Sequence, residues 1–331
     1  MERFVKNVPA VRTALCVCVG LLLSACVVGQ HGLTATDLQS RWQPGRIIEV
    51  QSGKVLDLPV FLAQLTRYDI LYLGEEHYNQ HHIDAALAVI EAAIEFKRPV
   101  TLTMEMFGWD GQAALNDYLS TPAPNREEFL DRANWKQNWG GAFANYEPLV
   151  QAARIYRLPL RAMNPPKSLI RQVVKLGLAD ARTGPDWATW GMDQEDIVDD
   201  QAYRSRILDQ LKRCHGGGTD DDYLRMYEAS MVRDEGMAKT VADAFHDIQR
   251  RGTSPRSLLL SYTGGGHIQY NLPVPQRVAR RLGTDATQMT VYLTSFDQSR
   301  LAEVQDLLRD TIADYIWLTP ISQQGPPQRC R

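Results

Sequence analysis

The stretch from Asp69 to Ile94 constrains the fold of this chain more than any other, because it reads as a strand, a turn and a helix in succession. The four consecutive apolar residues from Ile70 to Leu73 suit a strand that is buried on both faces of a parallel sheet. Gly74 ends that strand. Asn79 is a suitable N-cap for the amphipathic helix that the following apolar spacing predicts.

Three chemically active side chains fall in the turn of this unit, namely Glu75, Glu76 and His77. Open α/β sheets bind their ligands at the carboxyl ends of the strands, which is where this turn lies. Two glutamates and an imidazole between rigid elements therefore predict a functional site. His81 follows at the start of the helix, and we expect it to face solvent or to support the site.

The alternation of strand and helix predicts the α/β class, as a three-layer α/β/α domain with a mostly parallel sheet over residues 44–320. A hairpin is expected at 46–56, and later strands are expected at 99–107, 158–164, 257–263, 288–293 and 314–318. Residues 166–251 break the rhythm. Their charge-rich helical patterns predict a helical insertion that acts as a lid or a substrate subdomain.

Two further candidates, Glu105 and His267, lie at the carboxyl ends of later predicted strands. Parallel strands with right-handed crossovers bring these ends to the edge that carries His77. A carboxylate there is costly to desolvate unless a cation, a metal ion or hydrogen-bond donors meet it, so Glu105 is either a ligand-binding or a structural residue. His77, Glu105 and His267 have the side-chain types of a zinc or manganese site, and without metal they suit general acid–base catalysis.

The first 25 residues predict a targeting segment, since basic residues precede an apolar run that is short for a membrane span. The sequence from Leu23 to Cys26 resembles the bacterial lipobox, in which the cysteine is acylated and becomes the new N-terminus. An ordinary secretory signal is the alternative. Val27 replaces the aspartate of inner-membrane retention, which favours an outer-membrane lipoprotein facing the periplasm. Residues 26–43 then suit a tether, and residues 321–331 suit a flexible tail.

Charge and cysteine content narrow the partners further. The formal net charge of −3 provides no basic field for phosphates, so no nucleic-acid partner is expected. After lipoprotein processing, Cys214 and Cys330 remain as thiols in a compartment that permits disulfides. The sequence leaves open whether these two cysteines pair.

Five short motifs occur in order between about residues 47 and 293. They are LGEEH at 73–77, MEMF at 104–107, YEPL at 146–149, RDEGMA at 233–238 and GGH at 265–267. Together with the lipobox they resemble the ChaN family of iron-regulated, haem-binding lipoproteins. The paired glycine–histidine motifs at His77 and His267 are also similar, more distantly, to those of Tiki-type metalloproteases and erythromycin esterases in the same superfamily.

The resemblance implies haem as the ligand, dimers that hold two haems face to face, and a tyrosine axial ligand in bacterial iron acquisition. The candidate tyrosines are Tyr78, Tyr146, Tyr262 and Tyr270. Arg233 suits a ligand carboxylate or an acid of the site, and His267 is expected beside the ligand. The alternative function is a metal-dependent hydrolase that acts on a peptide or an ester through His77, Glu105 and His267.

Overall fold

The computed structural model describes residues 42–252, 257–323 and 325. The predicted signal segment, the lipidation site Cys26, the tether up to residue 41 and Cys330 lie outside these residues, so those predictions stand as predictions. None of the helices in the described ranges has both the length and the apolar character that crossing a bilayer requires.

One sheet forms the centre of the described chain. Its eight strands are β1 (Ile47–Glu49), β2 (Val55–Leu56), β3 (Ile70–Glu75), β4 (Val100–Gly108), β5 (Leu160–Asn164), β6 (Leu258–Gly264), β7 (Gln288–Ser295) and β8 (Tyr315–Thr319). They lie in the order β2-β1-β8-β7-β3-β6-β4-β5. Strands β3 to β8 pair in parallel, whereas β1 pairs antiparallel with β2 and β8. The predicted α/β class with a mostly parallel sheet is confirmed, and the hairpin expected at 46–56 joins that sheet as β1 and β2.

Helices cover both faces of this sheet. They are α1 (Leu58–Gln64), α2 (Gln80–Glu95), α3 (Gln112–Ser120), α4 (Arg126–Arg132), α5 (Trp135–Asn138), α6 (Glu147–Ile155), α7 (Lys167–Leu176), α8 (Leu178–Ala181), α9 (Pro185–Thr189), α10 (Gln201–Cys214), α11 (Asp220–Arg250), α12 (Val274–Leu282) and α13 (Leu301–Arg309). Short 3₁₀ turns connect several of them.

One face of the sheet packs against α2 and α6. Helix α2 buries Ile83, Val89 and Ile90 toward the sheet, at the spacing that the sequence pattern predicts, and α6 adds Leu149 and Val150. Each such side chain stabilises the fold by about 1.5–3 kcal/mol when it is fully buried. The N-cap Asn79 accepts a hydrogen bond from the backbone of the second helical residue, which fixes where α2 begins.

The opposite face packs against α11 and α12. The C-terminal half of α11 buries Met237, Val241 and Phe245 against the sheet, so this long helix is part of the core layer as well as part of the predicted insertion. Its start is fixed by a capping box between Thr219 and Asp222. The earlier helices α7 to α10 pack on its N-terminal half, away from the sheet centre.

Strand β6 lies between β3 and β4, although β4 is the next strand after β3 along the chain. In register, Glu75 at the end of β3 faces Gly264 at the end of β6. The ends of β3, β6 and β4 therefore form one continuous edge. This edge carries the chemically active residues.

Candidate functional site

Glu75 is the buried hub of the edge. Its Oε1 accepts a hydrogen bond from the Tyr146 hydroxyl at 2.7 Å, and its Oε2 accepts one from Tyr262 at 2.6 Å. The same Oε1 lies 2.8 Å from Nδ1 of His77. Burial raises the pKa of Glu75, against the lowering effect of His77 and the two tyrosines. The two phenols and the imidazole thus hold the carboxyl group in one orientation.

His77 is fixed at one nitrogen and open at the other. With Nδ1 on Glu75, the second nitrogen Nε2 has no hydrogen-bond partner among the described residues, and the side chain is 42% exposed. Burial lowers the pKa of His77, but the hydrogen bond to Glu75 and the charge of Glu105 outweigh it and raise the pKa above the ordinary value. A carboxylate that orients an imidazole in this way is typical of histidines that act as bases or metal ligands.

Two neighbours set the ring position of His77. A Cβ placed on Gly264 would lie 2.6 Å from Cε1 of His77, so only glycine allows the ring to lie against the end of β6. On the other side, the rings of His77 and Trp139 meet edge to face, with centroids 5.0 Å apart. The imidazole is therefore held by packing as well as by its hydrogen bond.

Glu105 is nearly fully buried on β4, and hydrogen-bond donors meet both of its oxygens. Its Oε2 accepts a hydrogen bond from the backbone amide of Gly264 at 2.6 Å, and its Oε1 lies 3.2 Å from Nε2 of His267. Burial acts to raise the pKa of Glu105, but His267, His77 and the amide of Gly264 hold it far below the usual range. The carboxylate is thus charged and has partners at both oxygens. These partners offset the cost of burying a charge at the end of a strand.

His267 lies between two carboxylates. Its Nδ1 is 2.6 Å from Oδ1 of Asp234 on α11, and its Nε2 contacts Glu105. The other oxygen of Asp234 accepts a hydrogen bond from the Tyr203 hydroxyl at 2.6 Å. Burial opposes protonation of His267, yet Glu105 and Asp234 raise its pKa to about 10. At neutral pH this residue is therefore an imidazolium.

The sequence reasoning missed Asp234 and Tyr203. Asp234 lies inside the RDEGMA motif, in which the sequence predicted a role only for the preceding Arg233. A usable signal was present, because the carboxylate occurs in a helix position that the apolar pattern marks as inward-facing. Tyr203 gave no such signal, since its role depends on how α10 packs against α11.

Glu76 and His81 lie apart from this network. The Glu76 carboxylate accepts hydrogen bonds from Thr294 at 2.9 Å and from the Ser295 hydroxyl at 2.6 Å, and it forms an ion pair with Arg300. These partners occupy it in a structural role, so its position does not support the predicted catalytic role. His81 is partly exposed near Asp84, as expected for a residue outside the site.

The four candidate tyrosines occupy different environments. Tyr146 and Tyr262 are fully buried with their hydroxyls on Glu75, and burial raises the pKa of both. Tyr78 follows His77 with a positive φ of 66°, and its ring packs on Trp139 and Tyr146. Tyr270 lies under the guanidinium of Arg206, 3.7 Å from its ring centroid. Tyr78 and Tyr270 are the two that are partly accessible.

A cleft of about 840 Å³ opens beside His77 and His267. Its opposite wall is α10, which contributes Arg206 and Arg213, and its floor includes Gly264 and Gly265 at the end of β6. Pockets for small molecules and cofactors typically enclose ~300–1,000 Å³. His77 therefore lines a cavity large enough for a sizeable ligand.

The predicted metal ligands His77, Glu105 and His267 do meet at this edge. Among the described residues, however, no group of three or more His, Cys, Asp or Glu side chains has an arrangement that would hold a metal ion. Glu105 and Asp234 engage both nitrogens of His267. A nitrogen that carries a proton has no lone pair to offer a metal.

Fold and site together define a three-layer α/β protein whose candidate functional site lies at the carboxyl edge of a parallel sheet. The chain belongs to the family described as haem-binding uptake proteins of the Tiki superfamily, ChaN, whose model matches residues 61–278. This match confirms the resemblance that the five sequence motifs indicate. No curated protein matches the chain.

A solved structure of a relative shows the same fold. The structure of ChaN of Campylobacter jejuni, determined with cofacial haem binding, is 16% identical and superposes with a TM-score of 0.59 over 82% of this chain and 95% of that one. A variant of the erythromycin esterase EreC in its open conformation is 14% identical, with a TM-score of 0.41 over 76% of each chain. A succinoglycan biosynthesis protein is 14% identical, with a TM-score of 0.39 over 78% of this chain and 74% of that one. The last two similarities are too distant to support an argument about this site.

Proposed function

We propose that this chain binds haem at the carboxyl edge of its sheet and serves bacterial haem and iron acquisition. The observation that carries the proposal is the family match over residues 61–278, which contains Glu75, His77, Glu105, Asp234 and His267. The Campylobacter jejuni relative, whose structure is titled for cofacial haem binding, supports the same ligand class.

The donor set of the site suits haem iron. His77, which lines the cleft, offers a free imidazole nitrogen, and Glu75 orients the ring through the other nitrogen. Histidine is a common axial ligand of haem, and a carboxylate behind it increases its donor strength. When bound, the haem iron supplies the Lewis-acidic centre that this nitrogen meets.

The tyrosine ligand implied by the family resemblance has two accessible candidates, Tyr78 and Tyr270. Tyr146 and Tyr262 would have to leave Glu75 and the core before their oxygens reached a ligand, which would leave a buried acceptor without its donors. Burial and the charges of Glu75 and Glu105 raise the pKa of Tyr78, so the tyrosinate form is disfavoured there. We therefore place His77 ahead of both accessible tyrosines as the iron ligand.

The test is a haemin titration of the purified full chain, followed by its Soret absorption. The wild type is expected to give a saturable Soret shift. His77→Ala should remove most of the affinity, and Glu75→Gln should weaken it by roughly 10–100-fold, the usual cost of losing the group that orients a metal-bound histidine. His81→Ala is the matched control, because it removes a nearby exposed imidazole that lies outside the site.

The outcomes separate the ligands. A wild type without a saturable shift would contradict haem binding altogether. Full affinity in His77→Ala, with loss in Tyr78→Phe or Tyr270→Phe, would assign the iron to a tyrosine instead. Sedimentation velocity with and without haemin tests the homodimer that the family resemblance implies.

Membrane attachment is a separate part of the proposal. We infer that Cys26 carries lipid and anchors the protein in the outer membrane, facing the periplasm, on the strength of the lipobox-like sequence before it. Labelling with a palmitate analogue should mark the wild type and not Cys26→Ala. An unlabelled wild type would indicate an ordinary secretory signal.

A hydrolase is the second candidate, and one observation favours it. A base with a free nitrogen, His77, lies on the same edge as an imidazolium, His267, which gives the base and the acid that hydrolysis of a peptide or ester requires. Stoichiometric zinc or manganese that is lost in both His77→Ala and His267→Ala would favour the metal-dependent form. Haem binding without any turnover of peptide or ester substrates would count against both forms.

A further inference from the structure

Three cations meet beside the site without any acidic partner. Lys167 begins α7, Arg171 lies one turn later on the same helix, and Arg233 approaches from α11. In the described part of the chain, none of these three side chains forms an ion pair or a side-chain hydrogen bond. The three charges are close enough to affect one another, since burial, Arg233 and Arg171 together lower the pKa of Lys167. We name these three residues the basic cluster.

Several other cations of the helical insertion and of α12 are paired with carboxylates. Arg204 pairs with Asp199, Arg213 with Asp209 and Lys239 with Asp243, while Arg277, Arg280 and Arg281 share Glu235. Positive charge is therefore paired with carboxylates through much of this region. Like charges that are held close together repel, which raises the free energy of the protein. Binding of an anion relieves that cost.

The basic cluster is joined to the site through neighbouring residues. Arg233 directly precedes Asp234, which holds His267, and the Asn164 side chain beside the cluster donates a hydrogen bond to the carbonyl of Glu105 at 2.7 Å. The small hollow that Arg233 and Lys167 line also contains Asn138. The next residue along the chain, Trp139, is the one whose ring touches His77.

We propose that the basic cluster binds the carboxylates of the ligand, and that for haem these are the two propionates. This rests on the proposed function. A haem carries a flat apolar body and two carboxylates on one edge, so it needs cations to one side of the iron ligand. Trp139 meets the His77 ring and directly follows Asn138, which lines the hollow of the basic cluster, so its aromatic ring offers the apolar body a surface to pack on. Arginine and lysine are the side chains that best pair with carboxylates.

Arg206 on α10 is the competing anchor, because it too lines the cleft. Its guanidinium already lies on the ring of Tyr270, and Arg213, which also lines the cleft from α10, is paired with Asp209. The basic cluster provides several donors with no present partner. The two possibilities assign the propionates to different residues, so they can be distinguished.

The experiment compares haemin with haemin dimethyl ester, in which both propionates are neutral. Wild type, Arg233→Gln, the double variant Lys167→Gln/Arg233→Gln, and Arg206→Gln are each titrated. The double variant is expected to bind haemin at least about tenfold more weakly than wild type and to bind the ester as the wild type does. Lys175→Gln is the matched control, because it removes an exposed charge of the same helix. It should change the affinity for neither ligand. Thermal unfolding of each variant confirms that it folds.

Each outcome is decisive. A double variant that binds haemin as tightly as wild type overturns the basic cluster as the carboxylate site. If Arg206→Gln instead loses affinity for haemin but not for the ester, the basic cluster is overturned as the carboxylate site and Arg206 on α10 takes its place. A wild type that binds neither haemin nor its ester refutes the proposed function itself, which is a different result from either of these.

Discussion

Two histidines reach the same edge of the sheet in opposite environments. His77 has one carboxylate on one nitrogen and a side chain that is 42% exposed, whereas His267 has a carboxylate on each nitrogen and is 17% exposed. The first is free to accept a proton or a ligand, and the second is held as a cation. Residue type is identical in both, so the neighbours decide the chemistry.

The largest expected effect concerns His267, whose two nitrogens both contact carboxylates. Glu105→Gln should destabilise the protein by about 3–5 kcal/mol, because it leaves the buried His267 cation with one carboxylate fewer. Urea unfolding at pH 7 measures this. A change below about 1 kcal/mol would show that the pair is screened by water and that His267 resembles His77 more than its burial indicates.

The pH dependence of stability tests the same residue from the other side. The pKa of His267 is raised to about 10 from an ordinary value near 6.5, so its contribution is fully present below about 6.5 and is lost as pH rises through about 10. The loss should amount to about 5 kcal/mol across that window, at about 1.36 kcal/mol per pH unit. His267→Gln should be less stable near neutral pH and should show a much flatter profile. Equal slopes in the two proteins would contradict a charged His267.

The hydrogen bonds that hold Glu75 against His77 are expected to contribute less to stability. Tyr262→Phe removes one of the hydroxyls that Glu75 accepts and should cost about 1–3 kcal/mol, the penalty for a buried acceptor that loses its donor. Thermal unfolding measures the loss of stability. Haemin titration of the same variant should show weaker binding, because Glu75 is then free to turn away from His77. Unchanged binding would mean that packing alone orients the imidazole.

The smallest expected effect concerns the packing of the His77 ring against Gly264. A methyl group at Gly264 would press on the His77 ring, so Gly264→Ala should weaken haemin binding by roughly tenfold, or 1.4 kcal/mol. Gly266→Ala is the matched control, since a Cβ there has no neighbour within 4 Å among the described residues. Equal binding in the two variants would show that the ring adjusts freely and that contact with β6 does not set its position.

The sequence predicted the frame of this site well. The apolar run from Ile70 to Leu73 became β3, Asn79 became the N-cap of α2, and Glu75, Glu105 and His267 came to one edge. These outcomes follow from local rules, because period, capping and parallel crossovers are all written in short stretches of chain. The place of β6 between β3 and β4 was not predictable in this way, since it depends on pairing between distant strands.

The sequence by itself determined which chemical groups stand at the strand ends and which family the motifs belong to. Only the tertiary structure decided that Glu75 turns to His77, that Asp234 joins Glu105 on His267, and that Glu76 turns instead to Arg300. The physical reason is that a side chain's charge state depends on burial and on partners a few ångströms away, and those partners come from helices and strands far apart along the chain.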